Sequence, residues 1–341
     1  MTEIVTIDKI NEVWIKINCT DESVLIELYE HFTFEVPGYK FTPSYKTGAW
    51  DGKIHLYQLG TKRLYLGLLQ KAIKFCHYRG YAVSLNNFPN QNKHVTLSQL
   101  KEFTDSLMLT SKGDPVEVRD YQENAIQQCI NNNKALILSP TSSGKSLIIY
   151  CLVKWYQSIL DDQKILIIVP TIGLIQQMYS DFVDYDSQYT THIDTKMHKI
   201  SSGAEKYNLE GIDIVISTYQ SLTKESISWF SENYGCVIID ECHGAKSVSI
   251  KGIMEKTIHV PYKFGFTGTL DGCKTHHWVL EGLFGEVKRV ISTSELIARN
   301  QISDLKIKAL VLKYNEEDCK NNTKLTYQEE IEFIIQHPKR N

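Results

Sequence analysis

The sequence has few of the features that mark secreted or membrane proteins. Its eight cysteines include no Cys-x-x-Cys pair, which is typical of free thiols in a reducing cytosol. The longest purely aliphatic run is Ile165–Val169, far short of the roughly 20 apolar residues that cross a bilayer. The first ten residues lack the basic and apolar segments of a signal peptide. We therefore predict a soluble intracellular protein with no membrane partner.

The size and composition are those of a globular protein with a large core. The chain has 341 residues, of which 42% are hydrophobic, 23% charged and 11% aromatic. These proportions exclude a disordered, collagenous or disulfide-scaffold protein, and the length predicts two to three domains. We find no internal repeat and no low-complexity tract.

The net charge of −3 argues against a nucleic-acid binder, but it hides an uneven distribution. Between Tyr39 and Gly80, which we call the basic segment, eight cations stand against Asp51 alone, a net charge of +7. We predict that this segment binds a polyanion, with a solvated lysine face over an aromatic core as the open alternative. The cations are Lys40, Lys46, Lys53, Lys62, Arg63, Lys71, Lys74 and Arg79.

Residues 1–90 are predicted to form a small α+β domain, followed by a linker helix over 91–112. The predicted elements are a strand at Val13–Ile17, a helix at Glu22–His31 with Asp21 as N-cap, a hairpin of Lys53–Tyr57 with Leu64–Leu66, and a basic helix at Leu68–Tyr78.

Residues 113–310 alternate short apolar runs with helical stretches, which predicts an α/β domain built on a parallel sheet. In such sheets, ligands bind beyond the carboxyl ends of the strands. The runs are Ala135–Leu138, Ile165–Val169, Ile212–Ile216, Cys236–Ile239 and Lys263–Phe266.

A phosphate-binding loop follows the first run. Gly144-Lys145-Ser146 opens a helix, where backbone N–H groups accept phosphate oxygens, Lys145 reaches the β- and γ-phosphates and Ser146 ligates Mg²⁺. The loop departs from its consensus because Ser139 stands where the first glycine belongs, and Thr141, Ser142 and Ser143 fill its interior. A serine-rich turn before a helix is the alternative.

Two adjacent acids follow the fourth run, on a strand that we expect to neighbour that of the loop. Such carboxylates are costly at the end of a buried strand unless they bind a cation or transfer protons. We assign Asp240 to Mg²⁺ and Glu241 to activation of an attacking water. With Lys145, these are the candidate catalytic residues.

Other strand ends carry hydroxyl residues that can bond the phosphates of a polynucleotide, namely Thr171, Thr218, Thr267 and Thr269. Upstream, Arg119 and Gln122 precede a helix, and the Gln122 amide can pair with the edge of an adenine.

In this order the signals resemble the first motor lobe of a superfamily 2 helicase of the DExH type. Asp240-Glu241-Cys242-His243 is similar to motif II, and Gln122 to the adenine-sensing motif. The resemblance implies a RecA-like lobe, ATP and Mg²⁺ as cofactors, and coupling residues at His243, Thr267 and Thr269. Thr267-Gly268-Thr269 departs from the usual Ser-Ala-Thr.

The N-terminal stretch from Val36 to Lys53 resembles that of T-even-phage DNA helicases. This resemblance implies a 3′-to-5′ motor that acts on branched DNA and RNA–DNA hybrids in the cytoplasm of an infected bacterium. We expect the protein to be a monomer. We expect DNA contacts from Lys46, Lys53, Lys62 and Arg63 in addition to Thr171 and Thr218.

A second motor lobe with its arginine finger is expected in this class, and residues 311–341 resemble only the connection toward it. We therefore expect a fragment that does not unwind DNA by itself. Two rival functions stay open: a duplex translocase of a restriction-type system, and a non-catalytic DNA-binding module with a nucleotide switch. A zinc site between Cys236 and His277 is disfavoured because the paired ligand spacing is missing.

Overall fold

The computed structural model describes residues 3–89, 94–186, 192–201, 205–243, 248–270, 274–303, 308 and 326–336. Residues Met1–Leu296 form one compact unit and Ile297–Asn341 a second. Within the described ranges, no helix has both the length and the apolar character needed to cross a membrane.

The N-terminal region is built on a mixed four-stranded sheet of order β5-β2-β1-β6, in which only the β1–β6 pair is parallel. Asp21 caps the first helix by accepting a hydrogen bond from the Ser23 amide at 2.8 Å, as predicted. The elements are β1 Ile4–Lys9, β2 Trp14–Asn18, α1 Glu22–His31, β3 Thr33–Glu35, α2 Pro43–Lys46, β4 Lys53–His55, β5 Arg63–Tyr65, α3 Leu69–Tyr78 and β6 Ala82–Asn86.

The predicted hairpin in this region is wrong in its pairing. β4 pairs with β3 in a separate ribbon, whereas β5 pairs with β2 at the edge of the four-stranded sheet. A single bridge joins Gln58 to Arg63 across the turn at Gly60. The two halves of the predicted hairpin therefore belong to different sheets.

The second part of the first unit contains a seven-stranded sheet, and every strand pair in it is parallel, with the order β11-β12-β10-β13-β14-β9-β15. The predicted α/β class is confirmed. Its elements are α4 Leu97–Ser106, β7 Thr110–Ser111, β8 Asp114–Pro115, α5 Asp120–Asn132, β9 Lys134–Leu138, α6 Lys145–Gln157, β10 Lys164–Val169, α7 Ile172–Tyr185, β11 Met197–Ile200, β12 Ile214–Thr218, α8 Tyr219–Leu222, α9 Ile227–Asn233, β13 Tyr234–Ile239, α10 Val248–Lys256, β14 Tyr262–Thr267, α11 Lys274–Phe284, β15 Val287–Arg289 and α12 Thr293–Ala298.

All five predicted strands are present, and the structure adds two that the sequence analysis missed. β11 and β15 are the edge strands, and their short sequences, MHKI and VKR, carry too few apolar residues to give a strand signal. The prediction that the strand before the acidic pair neighbours the strand before the phosphate loop is wrong, because β14 lies between β9 and β13. The second unit contains the acidic helix α13 Tyr327–Gln336.

The apolar core lies on both faces of the parallel sheet. One face packs against α4, α5, α6 and α7. The core of the N-terminal region is continuous with the other face through residues such as Leu136, Val237 and Phe284. The boundaries at residues 90, 112 and 310 stay predictions.

Polar contacts also tie the N-terminal region to the sheet. The turn between β1 and β2 carries Glu12, which forms ion pairs with Lys9 and Lys134. The buried Lys263 ammonium donates to the Glu12 carbonyl oxygen at 2.9 Å. The Glu12 turn is thereby fixed to the first residue of β9 and to β14, whose opposite ends carry the candidate site.

Candidate nucleotide site

The phosphate loop joins β9 to α6 with Gly144 as the N-cap of the helix. Gly144 has φ +79°, a left-handed conformation that favours glycine. A Cβ at this position would lie 2.3 Å from the Gln122 amide nitrogen. The backbone conformation thus favours glycine here, and a larger residue would also have to displace the Gln122 side chain. Lys145 and Ser146 follow Gly144 in the first turn of α6.

Serine side chains hold the loop where the consensus has glycine. The Ser139 hydroxyl is buried and lies 2.6 Å from the Ser143 hydroxyl, and the Ser139 amide donates to the Thr267 carbonyl oxygen at 2.9 Å. Ser142 takes up a left-handed conformation with φ +66°. The missing first glycine therefore does not prevent the loop from forming, because Ser139 fits there with its own hydrogen bonds.

The start of α5 holds the loop from the other side. The Gln122 amide donates to the Ser143 carbonyl oxygen at 2.9 Å and accepts from the Arg119 amide at 2.9 Å. The Tyr121 hydroxyl donates to the same carbonyl at 3.0 Å. Gln122 therefore supports the phosphate loop in this structure. Tyr121, which the sequence analysis missed, lies between the two residues that it singled out.

The acidic pair stands at the carboxyl end of β13 and faces the loop. Lys145 forms an ion pair with Glu241, which brings the phosphate loop and the acidic pair together. Burial raises the pKa of Asp240, and the nearby Lys145 ammonium offsets this shift only in part. Glu241 has φ +51°, a strained conformation for a non-glycine residue of the kind found at functional sites.

These side chains fit a magnesium–nucleotide complex. Asp240 offers a buried carboxylate whose charged form a cation would stabilise, and carboxylate and hydroxyl oxygens are the ligands that Mg²⁺ prefers. Lys145 and the N-terminus of α6 suit phosphate oxygens. Asp240 and Ser146 would hold the metal, and Lys145 would bind phosphate.

His243 links the acids to the next strand. Its Nδ1 atom lies 3.1 Å from the Glu241 carboxylate and 3.0 Å from the Thr267 hydroxyl. Because Thr267 donates its own proton to the Thr269 carbonyl oxygen at 2.9 Å, it accepts from His243. The three predicted coupling residues are thus in one hydrogen-bonded chain.

Two predicted DNA-contact residues lie at the carboxyl ends of paired strands. Val169 is in register with Thr218, which ends β12, and Thr171 follows β10 by two residues. Thr171 caps α7 by accepting from the Leu174 amide at 3.3 Å, and the Thr218 hydroxyl lies 3.0 Å from that of Ser221. Both residues lie at the carboxyl ends of the parallel strands, where the acidic pair also lies.

The basic segment lies in the N-terminal region, on α2, β4, β5 and α3. Lys46, Lys53 and Arg63 are exposed, and Lys62 is half-buried. Two other cations of the segment have structural partners: Lys71 pairs with Glu281, and Arg79 with Glu27. The charge of the sequence therefore overstates the surface available to a polyanion.

A parallel sheet with a phosphate loop after one strand and an acidic pair after another defines a RecA-like nucleotide-binding lobe of the helicase type. Comparison with known proteins agrees with this class. A family model for the N-terminal part of the DNA helicase UvsW matches residues 9–86, and one for the res subunit of type III restriction enzymes matches residues 115–272.

The chain is 35% identical to the ATP-dependent DNA helicase uvsW of Enterobacteria phage T4 over 96% of its length, but spans only 64% of that relative. It resembles a crystal structure of T4 UvsW with a TM-score of 0.74 and 32% identity, covering 85% of this chain and all of that one. A second T4 UvsW structure gives the same score over 98% of this chain and 64% of that one. The chain belongs to the UvsW family of superfamily 2 helicases.

Proposed function

We propose that this chain is the nucleotide-binding part of an ATP-dependent DNA helicase. The observation that carries the proposal is the meeting of Lys145, Asp240 and Glu241 at the edge where Thr171 and Thr218 also lie. Nucleotide and DNA would then bind the same edge of one rigid sheet. The similarity to the T4 helicase supports this function.

The proposed chemistry assigns one task to each side chain. Bound magnesium would neutralise charge on the phosphates, held by Ser146 and Asp240. Lys145 leaves Glu241 and binds phosphate, which frees the Glu241 carboxylate to take a proton from the attacking water. The chain from His243 through Thr267 to Thr269 then senses the state of Glu241.

We further propose branched DNA, single- and double-stranded, and RNA–DNA hybrids as substrates of a monomeric protein in the cytoplasm of an infected host. The exposed cations of the N-terminal region support contacts to the phosphate backbone, which position a duplex without reading its sequence. The relationship to a phage helicase supports the host and the substrate class.

A duplex translocase of the restriction type is the second candidate, because the family model matching residues 115–272 takes its description from a restriction enzyme subunit. The N-terminal match to the UvsW model favours the helicase. A strand-displacement assay distinguishes them, since a translocase would hydrolyse ATP on duplex DNA without separating its strands.

Reversing three cations of the basic segment is expected to weaken DNA binding and flatten its dependence on salt. In the triple variant Lys53→Glu, Lys62→Glu and Arg63→Glu, the slope of log affinity against log salt should fall by about 0.9 for each phosphate of duplex DNA that the variant no longer neutralises. The measurement is a binding titration between low and moderate salt.

The matched control reverses three exposed lysines elsewhere, Lys101, Lys112 and Lys251, and changes the net charge equally. An equal reduction of the slope in both triple variants would show that total charge, and not the basic segment, attracts DNA. An unchanged slope in the first variant would show that the basic segment is a solvated lysine face and does not bind DNA.

Unwinding is expected to need a second motor lobe in addition to this chain. An arginine finger supplied to the phosphates is worth about 10³- to 10⁵-fold in rate, and the phosphate-facing residues described above all lie in one lobe. The 341-residue chain should bind DNA yet hydrolyse ATP slowly, whereas the same chain followed by a second RecA-like lobe should unwind a forked duplex. Unwinding by the chain alone would contradict the two-lobe mechanism.

A further inference from the structure

The hydroxyl of Ser146 has a polar partner on α7, a helix that carries none of the helicase motifs at its C-terminal end. The Tyr185 hydroxyl lies 2.9 Å from the Ser146 hydroxyl. The residue expected to ligate magnesium is therefore oriented by another element of the lobe.

The chemistry of the two hydroxyls leaves room for a cation. A hydroxyl has one proton and two lone pairs, so Tyr185 can donate to one lone pair of the Ser146 oxygen while the other accepts a cation.

The end of α7 that presents Tyr185 is held rigidly. On one side, Asp184 accepts hydrogen bonds from the Lys112 amide at 2.7 Å and the Ser111 hydroxyl at 3.1 Å. On the other, Asp186 accepts from the buried Tyr150 hydroxyl at 2.6 Å and pairs with Lys154 at 3.0 Å. Tyr185 lies between two anchored residues, and its ring packs edge-on against Tyr150 at 5.5 Å.

We propose that Tyr185 is a positioning residue for the magnesium ligand Ser146. It holds the Ser146 oxygen in place for the metal, as outer hydrogen-bond partners do for many metal ligands. This inference rests on the proposed role of Ser146 and adds a residue that no helicase motif of this chain contains.

The test measures the affinity of the 341-residue chain for ATP carrying a fluorescent methylanthraniloyl group, over a range of Mg²⁺ concentrations and in EDTA. Tyr185→Phe keeps the ring and removes the hydroxyl. We expect the Mg²⁺ concentration for half-maximal binding to rise by about three- to tenfold, the effect of one hydrogen bond. Affinity in EDTA should not change.

Tyr179→Phe is the matched control, because Tyr179 lies on the same helix and its hydroxyl donates to the Asp194 carbonyl oxygen at 3.4 Å, a group outside the site. It should leave both affinities unchanged. In a Ser146→Ala background, Tyr185→Phe should have no further effect on the Mg²⁺ midpoint.

Three results would overturn the proposal. Equal losses of affinity in Mg²⁺ and in EDTA would show that Tyr185 has only a structural role. If the Mg²⁺ midpoint shifts in Ser146→Ala but not in Tyr185→Phe, Ser146 remains the metal ligand and Tyr185 does not position it. If Ser146→Ala itself leaves the Mg²⁺ dependence intact, the assigned metal ligand fails, and the positioning role fails with it.

Discussion

Replacing Glu241 with glutamine is expected to lower ATP turnover by about 10²- to 10⁴-fold while nucleotide binding is kept, because an amide cannot take a proton from water. The structure adds a direction to the binding result. Lys145 is paired with Glu241 before nucleotide arrives, so weakening that pair should leave Lys145 freer to bind phosphate. ATP affinity is therefore expected to stay equal or to increase.

Replacing Lys145 with alanine should weaken nucleotide binding and, with it, abolish ATP hydrolysis. A charge-assisted contact to phosphate is worth about 1.5–3 kcal/mol, so affinity should fall by roughly one to two orders of magnitude. Binding is measured by titration of the 341-residue chain, and turnover by phosphate release from the chain followed by a second lobe.

Two exposed residues provide the controls, Glu232→Gln and Lys251→Ala. Near-normal turnover in Glu241→Gln would show that Glu241 is not the base that activates the attacking water. Equal loss of binding and turnover in that variant would make Glu241 a structural acid, and unchanged affinity in Lys145→Ala would contradict the assignment of the phosphate loop.

Replacing Glu12 with glutamine is expected to have the largest effect on stability of the changes considered. Glu12 is the counter-charge of Lys9 and Lys134 at a place where Lys263 is fully buried nearby. Breaking a buried ion pair by removing one partner costs about 3–5 kcal/mol, since the other charge is left uncompensated. As Glu12 is partly exposed, we expect a loss of about 3 kcal/mol in the free energy of unfolding, measured by urea denaturation.

The pH dependence of this contribution follows from the ion pairs. Although burial acts to raise the pKa of Glu12, its contacts with Lys134 and Lys9 hold that pKa below the usual value. Its stabilising contribution is therefore complete above the pKa of an unfolded glutamate, about 4.3, and is lost as the pH falls through the lower folded value. Glu12→Gln should remove that part of the acid sensitivity.

Glu30→Gln is the control, because Glu30 is exposed on α1, and it should change stability by less than about 0.5 kcal/mol. Adding Lys134→Met to Glu12→Gln should recover much of the loss, because it removes the uncompensated charge. If Glu12→Gln costs no more than Glu30→Gln, the ion pairs do not anchor the N-terminal region.

The order of motifs along the chain was enough to predict the class of this protein. Long apolar strands such as β10 and β13 are buried on both faces, so their sequences alone gave a strand signal and the α/β sheet. The catalytic candidates followed because Gly144-Lys145-Ser146 and Asp240-Glu241 are local patterns that need no tertiary contact to be recognised.

Only the tertiary structure decided which residues meet. The pairing of β4 with β3, the edge strands β11 and β15, and the place of β14 between β9 and β13 depend on competition among strands far apart in sequence. Tyr185 approaches Ser146 across 39 residues and Glu12 approaches Lys134 across 122, separations at which no sequence pattern marks the partner. Local patterns thus determined the chemistry of the site, whereas packing between distant elements determined the side chains that hold it.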